Sequence, residues 1–312
     1  MKKTAFLFPG QGSQAVGMGE DLYREFDFVR EIFDMAEEIT KINLSRLCFK
    51  GPMEELTQTV NLQPALTALN LACLAALQRQ GADFATCAGH SLGEYSALHA
   101  AGVILQQDTV RLVFQRGHLM HREACKHRGA MQAIVGLTLA EVEALAAEGR
   151  QQGIVSVANH NMETQIVITG APDPVARVGA MAVAKGAKAV PLKVSGAWHS
   201  ELIRGAEAEF KEALSRTAFQ PARKEIVLNV TAAEATDPAE IREIMSRQLC
   251  SPVRWYDSMC RMKAAGVEVF VEVGPGKVLA GLLRKILPRD FPARIDNVGS
   301  LAQLEEFLKS AA

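Results

Sequence analysis

The stretch Cys87–Gly102, "CAGHSLGEYSALHAAG", sets Ser91 between Gly89 and Gly93 in the pattern Gly-x-Ser-x-Gly. Just before it, "DFATCAG" (83–89) is short, apolar and turn-bounded, which predicts a buried strand running into the helix that follows Ser91. A serine on such a strand-to-helix elbow exposes its hydroxyl, and the amide of Leu92 points to where an oxyanion would form. The helix dipole favours negative charge at the same place. The alternative is an ordinary N-cap serine. Small glycines on both sides, permitting a tight strand–helix approach, favour the nucleophile.

The same strand-to-helix rhythm extends outward. Upstream, Thr4–Phe8 reads as a strand ended by "PGQGSQ" (9–14), followed by a mainly helical region to about Gln80 that is broken at "KGPMEE" (50–55). Its longest apolar helix is "NLQPALTALNLACLAALQRQG" (61–81). Downstream, Asp108 is expected to cap a further helix, "TVRLVFQRGHLMHREA" (109–124). From about Gly129 the order becomes strand, helix, strand, strand, helix, strand, ending with "KAVPLKV" (188–194). That is the order of a ferredoxin-like unit. It predicts a small subdomain, residues 128–198, inserted into a larger domain made of 1–127 and 199–312. After it come the helix "HSELIRGAEAEFKEAL" (199–214), the strand "EIVLNV" (225–230) and a helix Pro238–Cys250. The strand "VEVFVEVG" (267–274) then enters a "GPG" turn and a final helix. Strands alternating with helices predict an α/β fold whose parallel sheet is covered on both faces.

Bulk properties narrow the function classes. A chain of 312 residues, 48% hydrophobic, is long enough for one large core or one core plus a lobe. Lys+Arg 34 against Asp+Glu 35 leaves a formal charge of −1, with no basic tract for nucleic acid. The six cysteines form no C-x-x-C pair, which suits a reducing compartment. "TAFLF" (4–8) after the two N-terminal lysines is shorter than the ~7–15 residues of a signal-peptide core. No apolar stretch is expected to approach the ~20 residues of a membrane span. A soluble cytoplasmic protein with no membrane or nucleic-acid partner is the expectation.

A serine nucleophile needs a base. Seven histidines compete. His118, His121, Cys125 and His127 cluster in "HLMHREACKH" (118–127), which is read as a basic solvated helix end and not as a metal site. His199, in "KVSGAWHS" (193–200), stands where a strand leaves the small subdomain and a helix begins, a place that converges on the ligand crevice in parallel sheets. It is either the base or a hydrogen-bonded structural histidine.

Arg116 falls on the apolar stripe Leu112, Val113, Leu119 and Met120 of its helix. A guanidinium facing inward is costly without an anion, so an internal acid pairs with it or it awaits a ligand carboxylate, which its planar fork suits. Gln248 repeats the anomaly after Ile241, Ile244 and Met245, either as a core hydrogen bond or as part of a site. "GQGSQA" (10–15) formally fits a dinucleotide fingerprint, but the following "REFDFVREIFDMAEEI" (24–39) is helical where a second strand is required. What that turn offers is Gln11, at a strand end near Ser91.

Taken together, "FPGQGSQ", "QPAL", "GHSLGEYSAL", Arg116-Gly117, "GAWHS", "PVRW" and "EVGPGKVL" make the chain resemble the malonyl-CoA:acyl carrier protein transacylases of bacterial fatty-acid synthesis. More widely it is similar to polyketide-synthase acyltransferase domains. The resemblance implies an α/β-hydrolase-like large domain with a ferredoxin-like insert. It makes Ser91 the acylated nucleophile, His199 its base and acid, and Gln11 with the Leu92 amide the oxyanion hole. Arg116 would bind the malonyl carboxylate, Gln248 would orient the histidine through carbonyl contacts, and Asn161 would lie near the acyl pocket. Trp198 stands where the family usually has Phe, and its bulk is expected to favour malonyl over methylmalonyl. The implied partners are malonyl-CoA as substrate and acyl carrier protein as acceptor, with no metal or cofactor required; the balanced charge of a self-contained enzyme makes a monomer the expectation. Lys126, Arg128, Lys185 and Lys188 are candidates for the carrier surface. Two rivals remain: a serine hydrolase on the same scaffold, and a non-catalytic carrier-binding module.

Overall fold

The computed structural model describes residues 2–311. Its ten strands, numbered along the chain, lie in two sheets. The first contains β1 (Thr4–Phe8), β2 (Thr86–Gly89), β7 (Glu225–Val227), β8 (Glu234–Ala235), β9 (Val269–Val273) and β10 (Arg294–Val298), in the order β10-β9-β1-β2-β7-β8. The five strands from β10 to β7 are parallel. β8 corrects the all-parallel expectation, because it returns from β7 as an antiparallel edge hairpin. β1, β2 and β9 are buried almost throughout because helices cover both faces of the sheet, and their residues are mostly apolar apart from Thr4, Thr86 and Glu272.

The second sheet is formed by β3 (Ala130–Val135), β4 (Val155–Met162), β5 (Gln165–Gly170) and β6 (Lys188–Pro191), antiparallel throughout, in the order β4-β5-β3-β6. Its two helices, Leu139–Gly149 and Pro172–Ala184, pack their apolar sides onto this sheet as a core of its own. It is joined to the large sheet's side of the molecule where the His160 amide donates to the Val253 carbonyl and the Val253 amide to that of Ala158.

The helix Thr59–Arg79 is apolar on nearly every side because it runs through the main core. It corrects one sequence expectation, being long and apolar enough by composition to cross a membrane, although it is mostly buried inside the protein. Against it lies the helix Gln106–Lys126. Gly117 makes the approach close: a Cβ there would sit 3.0 Å from the Thr59 carbonyl oxygen. This brings the neighbouring Arg116 onto the first turns of the core helix.

Four further expectations are corrected, and the first concerns Gln248: the helix predicted over Pro238–Cys250 ends at Ser246, and Gln248 stands in a short 3₁₀ turn, Gln248–Cys250. The helix Gln106–Lys126 begins after Leu105, so Asp108 is not its cap but a first-turn residue paired with Arg111 at 3.0 Å. "HSELIRGAEAEFKEAL" splits into a tight 3₁₀ stretch, Glu201–Ala206, and the helix Glu207–Arg216. The chain does not end in one helix after "GPG": Val278–Ile286 is followed by β10 and by the helix Leu301–Ala311.

Candidate active site

β9, β1 and β2 are neighbours with level registers, Phe8 facing Gly89 and Leu7 facing Glu272, so the loops that leave their carboxyl ends meet. This is where parallel sheets hold ligands. A cavity of about 600 Å³ opens there between the two sheets, lined by Gln11, Ser91, Asn161, Trp198, His199 and Val278 among others. Gly89 and Gly93 make the elbow between β2 and the helix Gly93–Ala100. A Cβ on Gly93 would lie 2.0 Å from the Phe8 carbonyl oxygen, and one on Gly89 would lie 2.0 Å from the Gly93 backbone. Only glycine fits either place, which is the physical content of the Gly-x-Ser-x-Gly pattern.

Ser91 is held in the left-handed region, φ 52°, a conformation that costs a non-glycine residue energy and persists only where neighbours enforce it. The enforcing contact is the Ser91 amide donating to Asn229 Oδ1 at 2.7 Å. Its Oγ lies 2.7 Å from His199 Nε2. His199, also at positive φ, 59°, places Nδ1 3.1 Å from the Gln248 carbonyl and 3.0 Å from that of Ser251. Both partners are acceptors, so Nδ1 carries the ring proton and Nε2 presents its lone pair to the serine hydroxyl.

Burial, with the Arg116 guanidinium and His90 nearby, holds His199 down to about 3. A lowered value means that the ring stays neutral as pH falls through the ordinary imidazole range. Its ¹⁵N resonances are therefore expected not to titrate between about pH 8 and pH 5; a midpoint near 6.5 would contradict the assigned environment.

Arg116 has 0% exposure. Its Nη2 donates to Ser91 Oγ at 3.2 Å, Nη1 to Gln63 Oε1 at 2.9 Å and Nε to Gln248 Oε1 at 3.2 Å. Among the described residues it makes no ion pair, so the internal-acid alternative is not realised as a direct contact. Burial lowers its pKa while Tyr95 and Glu94 raise it; a guanidinium remains charged in any case. Arg116 does not line the cavity itself. Its contact with a lining residue runs through Nη2 and Ser91 Oγ.

Glu94, likewise at 0% exposure, accepts from the Asn229 amide at 2.6 Å and from Gln248 Nε2 at 2.7 Å. Burial pushes its carboxyl up to about 7, against the pull of those two donors and of Arg116. Gln248 Nε2 also donates to the Ser91 carbonyl at 2.9 Å. Gln63, Glu94 and Asn229 were not singled out in the sequence. Gln63 and Glu94 did carry a signal, being polar residues in helices that are otherwise buried on nearly all sides.

The turn at Gly10–Gln11 packs against the elbow, since a Cβ on Gly10 would meet the His90 carbonyl at 2.4 Å and the Leu92 nitrogen at 3.5 Å. Among the described residues neither the Gln11 nor the Leu92 backbone N–H has a hydrogen-bond acceptor. The Gln11 side chain accepts from Thr59 Oγ1 at 3.4 Å. Asn161 Oδ1 meets His90 Nε2 at 2.9 Å beside the cavity. Trp198 is buried on its wall.

The remaining candidates lie elsewhere. His118 Nδ1 takes the Phe114 carbonyl as partner at 2.9 Å and Cys125 Sγ lies 3.6 Å from His121. Among the described residues no group of three or more His, Cys, Asp and Glu is placed to hold a metal ion. Lys126, Arg128, Lys185 and Lys188 are exposed and outside the cavity lining.

Comparison with known proteins bears on the chemistry. The acyl transferase domain family matches residues 5–301. A malonyl CoA-acyl carrier protein transacylase of Bacillus subtilis is 43% identical over 288 residues, covering 92% of this chain and 91% of that protein. The protein so named in Escherichia coli K12 is 42% identical over 289 residues, covering 92% and 94%. Among solved structures, an acyl carrier protein S-malonyltransferase from Vibrio cholerae superposes with a TM-score of 0.93 at 40% identity, covering 98% of this chain and 99% of that one. A malonyl-transacylase solved in complex with a type II polyketide acyl-carrier protein superposes with a TM-score of 0.94 at 37% identity, covering 99% of each.

Proposed function

The chain belongs to the acyl transferase domain family and, within it, to the malonyl CoA-acyl carrier protein transacylases, and from that premise we propose that it works through a malonyl ester on Ser91. The observation that carries the reading is one hydroxyl, Ser91 Oγ, within 2.7 Å of a neutral imidazole and 3.2 Å of a guanidinium.

In the first half-reaction His199 Nε2 takes the Ser91 proton as Oγ attacks the thioester carbonyl carbon of malonyl-CoA. The oxyanion is met by the free N–H groups of Leu92 and Gln11. Collapse breaks the carbon–sulfur bond; coenzyme A leaves and takes the proton from His199. In the second half the phosphopantetheine thiol of acyl carrier protein gives its proton to His199 and attacks the ester, and Ser91 leaves with that proton. The carbonyls of Gln248 and Ser251 stabilise the transient imidazolium, the part an acid plays in other serine enzymes. Nothing in this scheme calls for a metal, a cofactor or a second copy of the chain.

Arg116 binds the free carboxylate of the acyl group. As Oγ becomes an ester oxygen it releases Nη2, and the guanidinium presents that donor to the carboxylate. Holding the acyl group at both ends orients the ester carbonyl for the incoming thiol. Trp198 and Asn161 bound the acyl pocket, and the bulk of Trp198 favours malonyl over α-branched donors.

We read residues 1–127 with 199–312 as an α/β-hydrolase-like domain and 128–198 as a ferredoxin-like subdomain. The order β4-β5-β3-β6 with its two helices supports the second assignment. A cytoplasmic location fits six cysteines that are unpaired among the described residues.

The test is turnover of malonyl-CoA with and without holo acyl carrier protein. Malonyl transfer is expected to depend on the carrier, with free malonate released far more slowly in its absence. Equal rates would assign a hydrolase instead.

A further inference from the structure

We propose that Glu94 is a positioning residue for donor selection: it fixes the amide of Gln248 so that Arg116 keeps an acceptor on Nε and its remaining donors face the acyl group. The proposal rests on the reading that Arg116 receives the donor's carboxylate.

The geometry is a relay. Glu94 sits in the first turn of the helix Gly93–Ala100, wholly buried. Both its oxygens are taken by N–H donors, Oε1 by the Asn229 amide at 2.6 Å and Oε2 by Gln248 Nε2 at 2.7 Å. The nitrogen end of the Gln248 amide therefore points at Glu94 and at the Ser91 carbonyl, 2.9 Å away. Its oxygen end is left to accept from Arg116 Nε at 3.2 Å and from the Tyr95 hydroxyl at 3.3 Å. An unconstrained glutamine amide can turn over, which here would oppose two N–H donors at Arg116. A carboxylate, having only acceptors, forbids the turned form.

The arrangement also explains how a buried guanidinium is tolerated without a direct ion pair. A carboxylate touching Arg116 would consume the donors a ligand needs. One amide away, its ionised form, favoured above about pH 7, supplies the compensating charge and leaves those donors unspent. The same carboxylate holds the Asn229 segment, whose Oδ1 accepts the Ser91 amide at 2.7 Å, so charge, selector and elbow share one network.

The experiment compares kcat/KM for malonyl-CoA and acetyl-CoA, with holo acyl carrier protein as acceptor, in wild type, Arg116→Ala, Glu94→Gln and Tyr95→Phe, each checked by circular dichroism. Glu94→Gln keeps the shape but puts a donor among donors. The malonyl-to-acetyl ratio is expected to fall by about 10- to 100-fold, mainly through KM for malonyl-CoA. If Arg116→Ala leaves the ratio unchanged, the underlying reading of Arg116 fails. If Arg116→Ala collapses it while folded Glu94→Gln holds it within about threefold, the role given to Glu94 is overturned. Tyr95→Phe removes the phenol O–H that donates to Gln248 and lies beside the Arg116 guanidinium, while the ring stays in place, and it separates the neutral contact on Gln248 from the carboxylate of Glu94. It is expected to hold the ratio within about threefold, and a fall like that of Arg116→Ala would assign the amide to Tyr95 and overturn the proposal.

Discussion

Replacing Ser91 by alanine is expected to lower malonyl transfer by about 10,000-fold or more, because it removes the atom to which the proposal assigns the attack. What survives is direct attack of the carrier thiol on bound malonyl-CoA, with His199 and the free N–H groups of Leu92 and Gln11 still in place. The fold is expected to tolerate the change. The bonds that hold the elbow run through the Ser91 backbone, its amide to Asn229 and its carbonyl from Gln248, and neither needs the hydroxyl. Steady-state transfer and the thermal midpoint, measured on one preparation, separate the two effects. A folded Ser91→Ala protein that keeps more than about 1% of wild-type transfer would remove the serine from the pathway.

The second large effect belongs to Arg116. Truncation to alanine is expected to lower kcat/KM for malonyl-CoA by about 100- to 1,000-fold, the usual consequence of deleting one partner of a buried, hydrogen-bonded charge pair. Acetyl-CoA, which lacks the distal carboxylate, is expected to lose much less, so the preference between donors narrows or reverses. Arg116→Lys would keep the charge but not the fork that simultaneously engages Gln63, Gln248 and Ser91, and is expected to fall between the two. Equal loss on both donors would show that the guanidinium serves the nucleophile and not the carboxylate.

How much of this the sequence carried depended on whether a residue broke a local pattern. Arg116 was legible because a cation on an apolar stripe contradicts its neighbours at helical spacing. Ser91 was legible because glycines at fixed offsets from a strand end have few other uses. β1 and β2 announced themselves as apolar runs too short for helices, and β9 as a valine-rich run into a Gly-Pro-Gly turn. β10, "RIDNV", did not: Arg294 and Asp296 pair with each other on a half-buried edge strand, and a strand of that composition looks like a loop. The helix Thr59–Arg79 was seen as apolar but not as membrane-length, because Gln63 and Asn70 interrupt the run; both are buried polar residues partnered inside the protein. Asn229 follows the three residues of β7 in irregular chain, where no periodicity marks a side chain as inward-facing. The side-chain contacts that join Ser91, Arg116, Gln63 and Asn229 span 25 to 138 positions, and no local signal encodes them.

The central claim is that one hydroxyl takes the acyl group from a diacid thioester before the carrier does. The most direct measurement is an acid quench of the protein mixed with malonyl-CoA, followed by peptide mapping by mass spectrometry, with and without a chase of holo acyl carrier protein. The account predicts a malonyl ester on the peptide containing Ser91 that disappears into the carrier on the chase. A quenched protein that turns over malonyl-CoA yet carries no ester, or carries it on another residue, would contradict it.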